Sequence, residues 1–373
     1  MLKVKINSLL DYIQPTKYIV SSEEYSNKFN TPVLTAGDTF LLGYTNDKDG
    51  IYNASKHNPI ILFDDFTTAI KWVDFPFKVK SSACKIIVSK TKTNLRYCYY
   101  AMKAMNFDHS QHKRYWISEY SGQLINDYEN ENSKIVAELD NITDTISKKE
   151  QVILNLDELI KSRFIEMFGD PNFNDKNWDR LQIRDIGECV AGATPSTKVN
   201  EYWENGTISW LSSGEVHKRR IYSTDSKITQ SGYDHASTKM VPAHTVLLAM
   251  AGQGKTRGTA AMAEIPLCTN QSICSIVNNE KINPEYLMEY LTLEYNELRS
   301  ASNGGEGRGG LNLKIIGDFP INVPPINLQN EYAEFIKQID KSKFVCYSKY
   351  FLWLNLTFVS STIAYSNVVS ILE

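Results

Sequence analysis

Residues 134–171, KIVAELDNITDTISKKEQVILNLDELIKSRFIEMFGDP, decide how this chain is built. Ile135, Leu139, Ile142, Ile146, Ile153, Leu156, Ile160 and Met167 follow steps of four and three around Lys149 and Arg163, the seam of a heptad helix. About 34 residues at about 1.5 Å each make a rod of roughly 50 Å. Phe168-Gly169-Asp170-Pro171 ends it, because glycine accepts the left-handed cap and proline cannot continue a helix. Such a stripe needs a partner. Leu328, Tyr332, Phe335 and Ile339 repeat the spacing near the other end of the chain, so an intramolecular antiparallel pair is expected in preference to a coiled-coil dimer.

On either side of the helix the sequence repeats itself at low similarity. Ile6-Asn-Ser-Leu9 corresponds to Ile183-Arg-Asp-Ile186, residues 59–63 to 245–249, and 82–86 to 272–276. Asn94-x-x-Tyr97 corresponds to Asn283-x-x-Tyr286, and 135–140 to 335–340. The matches keep one order, which predicts a diverged duplication: two similar modules, each followed by a helix. Short β-prone runs punctuated by Gly37, Gly43, Gly50, Gly206 and Gly214 predict a mixed α/β (α+β) fold for each, with helices over 94–106 and 284–299. The expected divisions are a first module over 1–125, a central helix over 126–169, a second module over 170–326, and a C-terminal helix with an uncharged tail over 327–373. Within that tail, 350–372 has no charged residue and is rich in β-prone types, which predicts a weakened second helix; its many polar residues make it a poor membrane span.

Net charge is −3, which by itself argues against a nucleic-acid binder. Its distribution reverses that. Residues 1–125 carry 16 Lys+Arg against 11 Asp+Glu, 126–173 carry 5 against 11, and 174–325 carry 15 against 17. The acid is concentrated on the helix, which phosphates would repel, so that segment is expected to face protein or solvent. Cys84, Cys98, Cys189, Cys268, Cys274 and Cys346 form no C-x-x-C pair and no zinc spacing. Together with an N-terminus lacking signal-peptide character, they predict a cytoplasmic protein without a disulfide framework or structural metal.

Residues 249–256, Ala-Met-Ala-Gly-Gln-Gly-Lys-Thr, match a loose phosphate-binding loop after a predicted strand. Gly258 and Pro266 leave no room for the helix that would complete it, so a nucleotide hydrolase using Lys255 and Thr256 is the weaker alternative, beside a protein-binding coiled-coil scaffold. Gln253, Lys255, Thr256 and Arg257 on a glycine-rich backbone suit a groove-reading loop better, since Gln can pair adenine and Arg or Lys can read guanine or neutralise phosphate. Further donors are Lys17; Lys78, Lys80, Ser81 and Ser82, with the two lysines on one strand face; Lys113 and Arg114 between aromatics; Thr197 and Lys198; Lys218 and Arg219; Asn270 and Gln271; and Arg308. Asp64, Asp65 and Asp74 lack the spacing of a metal nuclease, and Asn58-Pro59-Ile60-Ile61 lacks the aromatic of an adenine-methylation motif. The chain is expected to bind, not to catalyse.

With these features assembled, the chain resembles the specificity subunit of type I restriction-modification systems. The resemblance rests chiefly on residues 156–171, which look like that family's central helix and its exit, and also on 31–37, 61–67, 269–272, 310–313 and 321–325. It implies two target-recognition domains that each read half of a split target in duplex DNA, set apart by the antiparallel helices. It also implies methyltransferase partners that modify adenine and restriction partners that translocate and cut DNA. Ile135, Leu139, Ile142, Ile146, Ile153, Leu156 and Ile160 would dock those partners. S-adenosylmethionine, ATP and magnesium would be bound on the partner subunits and none on this chain. The exit at 122–129 lacks the prolines of 320–325, a departure from the pattern.

Overall fold

The structure, a computed structural model, describes residues 2–35, 39–90, 93–105, 107, 114–252, 254–302 and 310–360, with side chains described to 345 apart from that of Glu129. Two compact units divide the chain: Met1–Glu150 with the end of the chain from Lys349, and Gln151–Ser348.

The first module opens with strand β1 (Leu2–Lys5), helix α1 (Ile6–Leu9) and strand β2 (Leu10–Ile13). Strands β3 (Thr31–Leu34), β4 (Leu41–Thr45), β5 (Ile60–Asp64), β6 (Ile70–Val73), β7 (Lys78–Val79) and β8 (Cys84–Ser89) follow. Helices α2 (Leu95–Lys103) and α3 (Tyr115–Ser118) and strand β9 (Leu124–Asp127) close it. The strands form sheets in the orders β2-β8-β5-β6, β4-β3-β7 and β1-β9. β5 is buried at every position, which is why it reads as an unbroken apolar run. Its residues alternate between two cores: Ile61 and Phe63 pack with Ile87, Cys98 and Trp116, while Ile60 and Leu62 pack with Leu34, Phe77 and Ile86.

Next comes α4 (Asn132–Phe168), unbroken for 37 residues. The second module then runs β10 (Asp179–Gln182), α5 (Ile183–Ile186), β11 (Gly187–Ala191), β12 (Ile208–Leu211), β13 (Arg220–Ile221), β14 (Ser226–Ile228), α6 (Gln230–Asp234), β15 (Val246–Ala249) and β16 (Ala260–Ala263). It continues through β17 (Cys268–Thr269), β18 (Ile273–Asn278), α7 (Pro284–Leu293), α8 (Tyr295–Ala301), α9 (Leu313–Gly317) and β19 (Pro320–Val323), and α10 (Ile326–Ser360) follows. Its sheets, β11-β18-β15-β16-β13, β14-β12-β17 and β10-β19, repeat those of the first module with one strand added. The parallel pair β3–β7 recurs as β12–β17. An asparagine caps each long module helix: Asn94 accepts from Tyr97 N and Asn283 from Glu285 N. The tyrosine three residues on donates to the exit strand in both, Tyr97 to Asn126 O at 2.5 Å and Tyr286 to Asn322 O at 2.6 Å.

The duplication is therefore structural, with one correction. Asp64 lies opposite Cys84 and its N–H donates to Ala69 O; Ala249 lies opposite Ile273 and donates to Thr259 O. Phe63 thus corresponds to Leu248 and Ile61 to Val246, one residue away from the match expected from sequence, and the same slip applies in β8 and β18. A slip of one exchanges the two faces of a strand, and a run that is apolar on both faces gives sequence no way to detect it. A second departure also resolves. The exit without prolines still forms β9, which pairs with β1 as β19 pairs with β10. The β-prone tail does not end the last helix early either, since α10 continues at the backbone level to Ser360. No helix among the described residues is long and apolar enough to cross a membrane.

Within Gln151–Ser348, the end of α4 packs against α10. Asp157 pairs with Lys343 at 2.5 Å, Ile160 O accepts from the Tyr332 hydroxyl at 3.4 Å, and Arg163 pairs with Glu331 at 3.2 Å. One number rises as the other falls, so the two helices are antiparallel here. Ile160, expected among the partner-docking residues, is instead buried with Phe164, Met167 and Phe168 in the module core, with Leu156 packed beside them, because the last turns of α4 seat on α7 and α10. Ile135, Leu139, Ile142, Ile146 and Ile153 are half-buried.

One buried carboxyl in this unit carries a cost. Glu294, at the end of α7, is 6% exposed, and its Oε1 has no hydrogen-bond partner among the described residues. Burial, with Glu297 and Asp170 adding like charge, pushes its pKa up to about 7. The folded state therefore holds this proton more tightly than the unfolded chain, and stability is lost as pH rises from the ordinary carboxyl range through 7. Glu294→Gln is expected to stabilise the protein by about 1–3 kcal/mol at pH 8, with the gain shrinking steadily as pH is lowered toward 4.5. Urea melts at several pH values check this; a gain independent of pH would contradict it.

Candidate nucleic-acid interface

In the second module four segments meet at one end of the central sheet. The β15–β16 connection is a hairpin, and its two strands pair antiparallel. The helix that a phosphate-binding loop needs is absent, because β16 follows where that helix would start. Gly254 and Gly258, with φ of +62° and +86°, take left-handed conformations that side chains resist. Helix α8 braces the hairpin from behind: Arg299 Nη1 donates to Gly254 O at 2.9 Å and Arg257 O at 3.1 Å, and the Tyr295 hydroxyl donates to Lys255 O at 3.0 Å. Lys255 is exposed at the tip, and Thr256 and Arg257 are half-buried.

The turn between β17 and β18 lies beside the hairpin, through Met250 N donating to Ser272 O at 2.8 Å. It carries the half-buried Asn270 and the exposed Gln271. The Thr194 hydroxyl donates to Gln271 Oε1 at 2.7 Å, which brings in the loop bearing exposed Thr197 and Lys198. Leu311 N donates to Met250 O, adding the segment that enters α9. Gln253 and Arg308 lie outside the described residues.

The first module repeats these joints. Asp65 N donates to Ala83 O and Tyr115 N to Asp65 O, so the β5–β6 turn, the β7–β8 turn and the entry to α3 converge. Ser81 and Ser82 are half-buried on this cluster, and Lys80 and Arg114 are exposed. Arg114 Nη2 is 3.5 Å from Ser82 Oγ, with its guanidinium 5.9 Å from the Phe66 ring centre. Lys17 is exposed, its ammonium 5.5 Å from the Tyr18 ring centre. Lys113 lies outside the described residues.

One expected contact is corrected. Lys78 is 4% exposed; it pairs with Asp47 at 3.1 Å and donates to Asp49 O at 2.7 Å. Hydrogen bonds from Ser21, with the Lys78 ammonium, hold the Asp47 carboxyl down to about 2. Lys78 is spent inside the module, while Lys80 is exposed. Lys218 is held by Glu215 at 2.9 Å and Asp225 at 2.7 Å, and Arg219 by Glu289 at 2.5 Å. Both line a cleft of about 240 Å³ together with Ile160, Ile336, Asp340 and Lys343, so they face the long helices.

Sequence reasoning missed how arginines seat the modules on the helices. In the first unit Arg96, stacked on Trp72, donates to Asp140 of α4 at 2.7 Å, and the Tyr100 hydroxyl donates to the same oxygen. In the second, Arg220 contacts Glu264 at 2.5 Å, Glu285 at 2.8 Å and Asp340 of α10 at 2.9 Å. The 135–140 and 335–340 match contained both aspartates, but nothing in it named their partners. Among the described residues no His, Cys, Asp or Glu cluster could hold a metal: Asp64 accepts from Phe66 N and the Thr67 hydroxyl, and Asp65 pairs with Lys85.

Comparison with known proteins fits this geometry. The chain is 34% identical over 349 residues to the type I restriction enzyme EcoR124I/EcoR124II specificity subunit of Escherichia coli, covering 90% of this chain and 85% of that protein. The chain belongs to the type I restriction-modification specificity subunits. These are DNA-recognition components rather than catalytic ones. A family model described as the type I restriction modification DNA specificity domain matches residues 175–344, the second module and the start of the last helix. The MjaIX specificity subunit of Methanocaldococcus jannaschii is 30% identical over 169 residues, 44% of this chain and 38% of that protein. The fold matches the crystal structure of the type I system S subunit from M. genitalium with a TM-score of 0.64 at 14% identity, covering 98% of this chain and 95% of the other. A chain from a structural study of complex assembly in the type I system matches with a TM-score of 0.51 at 12% identity, over 95% of each chain. In this specificity subunit, as in that fold, two target-recognition domains are joined by a long helix.

Proposed function

We propose that each module of this specificity subunit reads one half of a split target in duplex DNA, and that the assembled complex directs adenine methylation or restriction to that target in the cytoplasm. The observation that carries this reading is the repeated joint: the same backbone hydrogen bonds gather polar loops at one end of both modules. Lys255, Thr256, Arg257, Asn270, Gln271, Thr197 and Lys198 would contact DNA from the second module, and Lys17, Lys80, Ser81, Ser82 and Arg114 from the first. Methyltransferase and restriction subunits would supply the chemistry, with S-adenosylmethionine, ATP and magnesium bound on them. Docking of those subunits on the acidic helix is supported by its solvent-facing apolar side chains: Leu154 is 58% exposed, Leu159 45% and Val152 43%.

The test is binding of the purified subunit with its methyltransferase partner to duplex fragments over a salt series. Affinity is expected to fall linearly on a double logarithmic plot, and Lys255→Ala to reduce the slope by about one while weakening binding to all sequences alike. Affinity indifferent to both salt and sequence would refute the reading.

A further inference from the structure

The second module provides an internal control for a feature of the first. By backbone hydrogen bonding Asp65 occupies the position of Met250: each donates from its N–H to the neighbouring turn, to Ala83 O or Ser272 O, and each accepts at its carbonyl, from Tyr115 N or Leu311 N. By ladder register Lys85 occupies the position of Cys274. In the second module, then, the same joints close around two apolar side chains of the core. The first module instead buries an ion pair, with Lys85 Nζ 3.3 Å from Asp65 Oδ2 and both residues 1% exposed. A buried ion pair adds no stability that well-packed apolar residues could not supply. The fold itself has no need of it, as Met250 and Cys274 demonstrate.

What the pair adds is a set of connections between loop roots. Lys85 Nζ donates to Gln14 Oε1 at 2.8 Å and reaches Ser82 O at 3.5 Å, and Asp65 Oδ1 accepts from Trp116 N at 2.9 Å. Gln14 leads into the turn that carries Lys17, Ser82 belongs to the β7–β8 turn, and Trp116 stands two residues after Arg114. Three segments bearing donors for DNA are thus tied at their bases to one buried charge pair. We propose that Asp65 and Lys85 are positioning residues that set the half-site selectivity of the first module, holding these segments in one arrangement while touching no base themselves. The proposal rests on the DNA-reading function above.

The test uses the full-length subunit in complex with its methyltransferase partner. Its target duplex, identified from methylated genomic sites, is prepared with single base-pair exchanges in one half or the other. Asp65→Met with Lys85→Met imitates the apolar solution of the second module, and thermal melting checks that the variant is folded. Discrimination against exchanges in one half of the target is expected to fall about tenfold, on the scale of a single mismatch, with the other half read as before. A folded variant that discriminates in both halves like the wild type, or loses discrimination equally in both, overturns the proposal. If the double variant does not accumulate, Lys85→Gln alone is measured: the same one-sided loss is expected, and unchanged discrimination overturns the idea. Should the wild-type complex itself fail to discriminate, the DNA-reading function falls and this proposal with it.

Discussion

Phe164→Ala is expected to cost about 3–5 kcal/mol of stability, the largest effect of any single truncation on the long helix. Phe164 is 1% exposed and stacks on Tyr286 of α7, ring centres 5.2 Å apart and planes at 19°. It also meets Phe168, Tyr290 and Tyr332 edge-on, at 4.9, 6.4 and 5.5 Å. One ring therefore joins the end of α4 to α7 and to α10, and removing it opens a cavity among rigid aromatics that cannot collapse to fill it. Urea unfolding of the full-length chain followed by circular dichroism checks this. A loss below about 1 kcal/mol would mean that the helix is not seated on the second module by this cluster.

Arg220→Met should be nearly as damaging, for an electrostatic reason. Arg220 lies among Glu264, Glu285 and Asp340, and without it three carboxylates lose the guanidinium they share. Removing one member of a buried pair costs about 3–5 kcal/mol; with Asp340 35% exposed at its side chain, about 2–4 kcal/mol is expected here. Urea melts of the variant check this; a loss below about 1 kcal/mol would contradict it. Any effect of either substitution on DNA reading is expected to follow the seating of the module.

Much of this architecture could be read from the amino acids, and the failures have physical causes. The central helix was legible because eight apolar positions kept one period, and a glycine–proline exit fixed its end. The duplication was legible in its helix caps, where Asn94 and Asn283 each cap the corresponding helix, but not in its strands. β5 is apolar on both faces, so a one-residue offset leaves no trace in the sequence. Lys78 looked like a groove contact because adjacency to Lys80 suggested a shared face. Asp47, thirty-one residues upstream, decides otherwise, and no local pattern announces an ion pair across that distance. The phosphate-loop match at 249–256 failed for the reason its own flank gave, with β16 where a helix was required. Asp65 and Lys85 carry no local signal at all; only the register of two sheets shows that their counterparts are Met250 and Cys274.

The central claim is that two equivalent modules, joined by α4, read two separated stretches of one duplex. Genome-wide mapping of methylated adenine, in cells with this gene intact and with it disrupted, tests that most directly. The expected result is the disappearance of one motif made of two short specific blocks around a non-specific spacer of constant length. An unchanged methylation pattern, or the loss of a single uninterrupted motif, would contradict the account.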